Sequence, residues 1–367
     1  MPVPGRSRRR PSRLVLGALA ASAALLATTT GPATAVATEP ADGGGPSAIS
    51  TFSTGYQTPW DITFMPDGRS ALVTQRLDHQ VFRLGLDGKK TRVGEVPNTV
   101  PEPYDDGPGG LLGVAPSPTW DGKKDKQVFF VHTTRTETRV VRMDYDGRSL
   151  SHYKVLIKGI KRIGNHNGGQ IRFGPDGYLY VTTGDAYTPQ LAQDRKSLNG
   201  KILRITKTGA AAPGNPFGDR VYSLGHRNPE GLAWDRSGNL WETEIGDQTW
   251  DELNLIKPGG NYGWPTCEGG CDKQGMTNPE VVFSPKWGVP AQIAVVRNVL
   301  YVSSLRGKRL WRIPIDGDGR LGTAVDFYPG QYGRLRALAV VPGTDDLLIG
   351  TSDAGYGKDK ILRLSIK

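Results

Sequence analysis

From Ile49 onward the chain repeats one pattern: a short apolar stretch, a turn rich in Pro, Asp and Gly, then a second β-rich stretch. The turns fall at "MPDGR" (65–69), "SPTWDG" (117–122), "GPDGY" (174–178), "DRSGN" (235–239), "VVRNV" (295–299) and "VPGTDD" (341–346). Their spacing, roughly 45 to 61 residues, is the period of propeller blades. Asp-Gly and Ser-Gly supply the positive-φ positions that tight hairpins need. The following stretches "LYVTTGD", "NLWETEIGD" and "VLYVSSLRG" alternate large and small residues with a period of two, as strands do. No strong amphipathic helix interrupts them. Six units of four antiparallel strands consume about 300 residues, which fits the span 49–367. The expected fold is therefore all-β: a six-bladed β-propeller of four-stranded antiparallel blades. "ISTFSTG" at its start should complete the last blade beside "KILRLSI" at its end. Propellers carry ligands at the central channel on loops held by rigid blades, so functional residues should be far apart in sequence.

The first 37 residues stand outside this pattern. Five arginines (Arg6, Arg8, Arg9, Arg10, Arg13) precede the apolar run "LVLGALAASAALLA" and the small residues "ATAVA". This is the layout of a signal peptide cleaved after Ala37, and its apolar core is too short for a membrane anchor. The expectation is a secreted protein without stable membrane insertion. Residues 38–48, "TEPADGGGPSA", read as a flexible linker. The formal charge of +10 falls to +5 without the leader, because the leader holds no acid. The remaining charges are interspersed, which argues against a nucleic-acid partner. Cys267 and Cys271 in "CEGGC" are the sole cysteines. In an exported chain they should pair as a local disulfide; as half of a metal site they lack a second pair.

Several segments hold more glycine and polar residues than blade packing requires. In "GNHNGGQI", His166 stands beside two glycines, where a bulky partner could come close. A neutral imidazole suits a general base; a hydrogen-bonded structural histidine is the alternative. In "GHRNPEG", Arg227 offers a rigid fork of donors to a negative charge, Asn228 is held extended by Pro229, and His226 reads as structural. An inter-blade ion pair would explain Arg227 equally well. Asp251, Glu252, Asn254 and Tyr262 present oxygens suited to a hard cation such as calcium, although acidic glycine-rich loops often bind nothing. Arg306, Arg334 and Arg336 could converge on a polyanion, or each could face solvent. "GDGRLG" (317–322) mimics a dinucleotide fingerprint but has no βαβ unit around it. Asp316 and Asp318 begin a calcium loop that is never completed. No G-x-S-x-G elbow is present.

Taken in order, "GGLLGVAPSP", "HNGGQIRFGPDGYLYVTTGD", "LNGKILRI", "GHRNPEGLAWD", "DELNLIKPGGNYGWP" and "GRLRALAV" resemble the soluble quinoprotein sugar dehydrogenases, the glucose/sorbosone dehydrogenase family. The likeness covers essentially the whole chain after the leader. It implies pyrroloquinoline quinone (PQQ) at the channel mouth with calcium, and oxidation of an aldose at its anomeric carbon to a lactone, with an external electron acceptor. His166 aligns with the family's base. Arg227 and Asn228 align with residues at the quinone, and Arg306, Arg334 and Arg336 with residues reaching the cofactor. The carbonyls of Gly246 and Asp247 fall where the cofactor-linked calcium is held, and Glu252 and Tyr262 look like ligands of a family calcium site. Two positions depart from the family: Pro108 replaces a glutamine, with Asp105 and Asp106 nearby, and Asp247 stands where proline is common. The alternatives are a calcium-dependent lactonase, which needs a metal caged at the channel centre, and a non-catalytic propeller binding a saccharide or protein.

Overall fold

A computed structural model describes residues 44–100, 109–352 and 357–367. The expected leader, most of the expected linker, and Pro108, Asp105 and Asp106 lie outside these residues. Six four-stranded antiparallel sheets are present among them. Their inner strands are Pro59–Phe64, Leu111–Pro116, Ile171–Phe173, Pro229–Trp234, Pro290–Val296 and Leu335–Val340, for blades one to six. Neighbouring blades touch through their inner strands, except that blade three meets the inner strand of blade four through its second strand, Leu179–Thr183; blade six touches blade one, so the ring is closed. Closure occurs as expected: Pro46–Tyr56 pairs with Asp359–Ile366 as the outer strand of blade six, with Thr51 opposite Leu362. That outer strand begins at Pro46, so the last residues of the expected linker (46–48) are strand. No described helix is long and apolar enough to cross a membrane.

All six turns expected from the sequence join the inner strand of a blade to its second strand. Their chemistry is local. Gly68, Gly177 and Gly238 take φ of 67°, 78° and 83°. Asp67, Asp176 and Asp235 accept the backbone N–H two residues on. Arg297 (φ 50°) and Asn298 (φ 67°) form a two-residue hairpin between paired Val296 and Val299, as a type I′ turn requires.

Burial is organised between blades. Phe129 and Val131 of blade two pack against Leu179, Val181 and Leu203 of blade three. Leu300 and Val302 of blade five meet Trp241 and Leu253 of blade four. Hydroxyls on second strands tie three of the joints to the neighbouring inner strand: Thr74 to the Leu112 carbonyl (2.6 Å), Thr243 to that of Ala291 (2.5 Å), Ser303 to that of Arg336 (2.5 Å).

One polar network crosses the axis. Asp61 of blade one is fully buried and receives a two-pronged ion pair from Arg172 of blade three, at 2.6 and 2.7 Å. It also accepts the Val114 N–H of blade two (2.9 Å) and Gln292 Nε2 of blade five (3.1 Å). Gln292 in turn accepts the Leu338 N–H of blade six. A buried carboxylate is costly unless paired and hydrogen-bonded; here blades two, three and five supply that pairing, and blade six braces Gln292.

Candidate active site

Above this lock the channel opens into a cavity of about 320 Å³. Trp60, adjoining Asp61, lines it together with Leu112, and the Trp60 carbonyl is held by Gln292 Nε2 at 3.0 Å. The polar lining comes from distant parts of the chain: Asn165–Gly168 between blades two and three, Asn228 and Glu230 of blade four, Arg306 of blade five, and Arg334 and Arg336 of blade six. Five of the residues singled out from sequence, His166, Asn228, Arg306, Arg334 and Arg336, therefore meet in one cavity.

His166 is buried, and its Nδ1 lies 2.9 Å from Asp185 Oδ1. Asp185 is itself buried; its Oδ2 accepts Trp264 Nε1 at 2.8 Å and its Oδ1 also accepts the Tyr187 N–H. A carboxylate can only accept, so the proton sits on Nδ1 and Nε2 keeps its lone pair, the form a base requires. The two glycines after His166 serve packing. A Cβ at Gly168 would stand 2.9 Å from the Thr182 carbonyl oxygen and the Thr183 Cα, and its φ is 62°. The close partners that these glycines admit are the protein's own: the second strand of blade three at Gly168 and the Leu112 side chain of blade two at Gly169.

Asn228 bridges the two sides of the cavity. Its Oδ1 accepts the Gly168 N–H (3.0 Å) and its Nδ2 donates to Glu230 Oε1 (3.2 Å). Glu230 Oε2 holds Arg336 Nη1 at 2.7 Å, and the buried Arg336 Nε has no protein partner. Arg306 is exposed and Arg334 half-buried. With Arg76 of the loop after the second strand of blade one, four guanidinium groups and one carboxylate line the cavity and make it strongly favourable to an anion.

Arg227 lies elsewhere. Its guanidinium donates to the Ile245 carbonyl (3.2 Å), to the Gly246 carbonyl and to Asp247 Oδ1 (2.8 Å), beside the Trp264 ring. It lines a small second cleft with Gly246, Glu252 and Tyr262. The Gly246 carbonyl expected to face calcium is thus occupied by a cation of the chain itself, and Asp247 reinforces that contact.

The acidic strand Asp251–Ile256 divides by face, as consecutive strand residues must. Asp251 accepts the N–H groups of Gly246 (2.9 Å) and Val289 (2.6 Å), a clasp on two loops. Glu252 accepts the Gly269 N–H (2.7 Å) and Asn254 Nδ2 (3.1 Å). Burial, reinforced by the Glu244 charge, pushes its carboxyl up to about 8. The Tyr262 hydroxyl is turned away from Glu252, donating to the Leu255 carbonyl (2.7 Å) and accepting the Lys257 N–H (2.8 Å). His226 is fully buried between Ser223 and Glu244, both at 2.8 Å, and with Glu242 and Glu244 forms a compact trio away from the axial cavity. Cys267 and Cys271 form the disulfide.

Residues 56–363 match the family model described as glucose/sorbosone dehydrogenase. The chain belongs to that family. The PQQ-bound aldose sugar dehydrogenase of Streptomyces coelicolor is similar in structure, with a TM-score of 0.81 and 42% identity over 88% of this chain and 100% of that one. Aldose sugar dehydrogenase YliI of Escherichia coli is 31% identical over 241 residues, 60% of this chain and 62% of its own. Quinoprotein glucose dehydrogenase B of Acinetobacter calcoaceticus is 31% identical over 253 residues, 59% of this chain and 52% of its own. The matches thus span less than two thirds of the curated relatives' lengths.

Sequence reasoning passed over Asp185, Trp60, Arg76 and the Asp61–Arg172 pair. Asp185 was within reach: it ends the "HNGGQIRFGPDGYLYVTTGD" segment that begins with His166. The others carried no local mark, because a buried ion pair between strands 111 residues apart leaves no trace in spacing.

Proposed function

We propose that the protein is a PQQ-dependent dehydrogenase oxidising an aldose-type sugar at its anomeric carbon to the lactone. The observation that carries this reading is His166: its Nδ1 is held by a buried carboxylate and it faces a cavity whose lining across the axis is rich in arginine. The cavity suits a flat polyacid. Arg306, Arg334 and Arg336 would hold carboxylates, and the orphaned Arg336 Nε is a buried donor awaiting an acceptor. Its volume lies at the small end of the range for ligand sites. Trp60 and Leu112 supply apolar surface for a ring system. PQQ, when bound, supplies the two-electron acceptor; the chain's own residues bind, orient and move the proton.

In this reading His166 Nε2 takes the proton of the sugar's anomeric hydroxyl. Asp185 stabilises the imidazolium that results and keeps the ring from turning. Asn228 fixes the His166 loop against Glu230 and Arg336, so base and anion clamp keep one register. Arg227, as placed, does not line the cavity; its guanidinium is engaged by Ile245, Gly246 and Asp247. Calcium at Gly246 and Asp247 does not fit the donor set as it stands, because the guanidinium lies on the Gly246 carbonyl; no step is assigned to it. A lactonase reading would need a free carboxylate cage on the axis, and Asp61 is engaged by Arg172 and Gln292. We further infer export, which the leader expected over residues 1–37 supports, and an external electron acceptor.

The test adds PQQ to purified mature protein, with and without calcium, follows cofactor absorbance, then assays aldoses with an artificial acceptor. His166→Ala should keep cofactor and lose dye reduction. Unchanged turnover in that variant removes His166 from the mechanism; no PQQ uptake by wild type removes the function.

A further inference from the structure

His166 makes a second contact that the mechanism above does not use. The Tyr187 ring lies parallel to the imidazole, with centroids 4.0 Å apart and planes 29° apart. Tyr187 is nevertheless among the more exposed large side chains of the protein, at 53%. An aromatic ring this exposed is not held in place by burial alone.

Its backbone is unusual. Ala186 and Tyr187 are consecutive non-glycine residues in the left-handed region, with φ of 49° and 51°, and His166 itself has φ of 57°. Each such residue is strained and persists only where its surroundings over-determine it. Here they do. The Ala186 N–H donates to the His166 carbonyl (3.2 Å) and the Tyr187 N–H to Asp185 Oδ1 (2.9 Å). The Tyr187 hydroxyl accepts Asn165 Nδ2 at 3.1 Å. The strained pair thus folds the ring back over the imidazole and locks it at both ends, using the carboxylate that also holds Nδ1.

We propose that Tyr187 is a positioning residue for the His166 base: its ring covers one face of the imidazole and, with Asp185, fixes the ring plane that directs the unprotonated Nε2 into the cavity. A single hydrogen bond at Nδ1 leaves the imidazole free to rock about that bond; a stacked plane removes this freedom. The inference rests on the dehydrogenase reading for its kinetic consequence, but not for its structural one.

The experiment therefore has two arms, on wild type, Tyr187→Phe and Tyr187→Leu. In the first, ¹⁵N-histidine spectra of the cofactor-free mature protein report the His166 tautomer. All three should keep Nε2 unprotonated, because Asp185 still holds Nδ1; wild type and the Phe variant should show a sharp Nε2 resonance, and the Leu variant a broadened or displaced one as the ring rocks about that bond. In the second, PQQ-loaded enzyme should lose roughly tenfold in kcat on Tyr187→Leu, with KM for the aldose changed less than about threefold and PQQ uptake retained; Phe should restore at least half of wild-type kcat. A Leu variant with wild-type spectra and kcat overturns the proposal. So does a Phe variant as impaired as Leu, which would assign the effect to the hydroxyl, or a loss confined to KM, which would make Tyr187 a sugar contact. If no variant turns over, wild type included, the dehydrogenase reading fails and the spectra alone decide Tyr187.

Discussion

Replacing Asp185 by Asn tests the most specific chemical claim made for this site. The carboxylate is buried and holds His166 Nδ1 at 2.9 Å, so the bond is charge-assisted once the imidazole takes a proton. Such bonds contribute about 1.5–3 kcal/mol. At about 1.4 kcal/mol per decade, that is a loss of roughly 10- to 150-fold in kcat. The upper end applies if the new amide turns its NH₂ toward Nδ1, because the imidazole proton would then be forced onto Nε2 and the acceptor edge lost. An amide has a single acceptor oxygen, so it can accept from Trp264 Nε1 at the Oδ2 position or from the Tyr187 N–H at the Oδ1 position but not both, and the fold should survive the loss of one such bond. Asp185 does not line the cavity, so PQQ uptake measured by absorbance titration should stay within about threefold of wild type. The assay is dye-linked aldose oxidation of the fully loaded variant. Retention of half or more of wild-type kcat would refute the Nδ1-anchored base, and loss of cofactor uptake with no kcat change in the loaded fraction would make Asp185 purely structural.

Three further outcomes follow from the geometry. Asp61→Leu strands the Arg172 guanidinium and releases Gln292 and Val114; breaking a buried pair from one side costs about 3–5 kcal/mol, roughly 4–8 °C in thermal midpoint for a domain of this size, and a shift under about 2 °C would show that the axial lock is not stabilising. Glu252 binds its proton more tightly when folded (about 8, against 4.5 ordinarily), so its contribution is complete below pH 4.5 and is lost as pH rises toward 8. Chelator-treated protein should therefore lose stability between pH 5 and 8 by up to about 1.4 kcal/mol per pH unit from this group, and Glu252→Gln should flatten that slope in calorimetry. Asp247→Asn weakens the grip of Arg227 on the 245–247 turn; if the guanidinium excludes calcium there, half-maximal loading of PQQ should need about 1.5- to 5-fold less calcium, as expected for a partly exposed ion pair, whereas a higher calcium demand would show that Asp247 recruits the cation instead.

The sequence alone determined the repeat. Turn chemistry is local: Asp-Gly and Arg-Asn at "MPDGR", "GPDGY" and "VVRNV" set positive φ and hairpin registers without reference to anything distant, so blade count, strand order and closure of the ring could be read from spacing. It also marked His166, Asn228 and the three arginines, because glycine-rich polar segments interrupting a β pattern have no packing purpose of their own. What only the tertiary structure decided is which of these side chains face one another. Arg227 and Asn228 are neighbours in the chain, yet one lines the axial cavity and the other turns into the cleft held by Asp247, since successive extended residues point to opposite sides. The axial lock and the Asp185–His166–Tyr187 arrangement likewise exist only once the blades are closed into a ring or a strained loop is folded back. Hydrogen bonds act over about 3 Å of space, and the distance along the chain between their partners is set by topology, which no local pattern encodes.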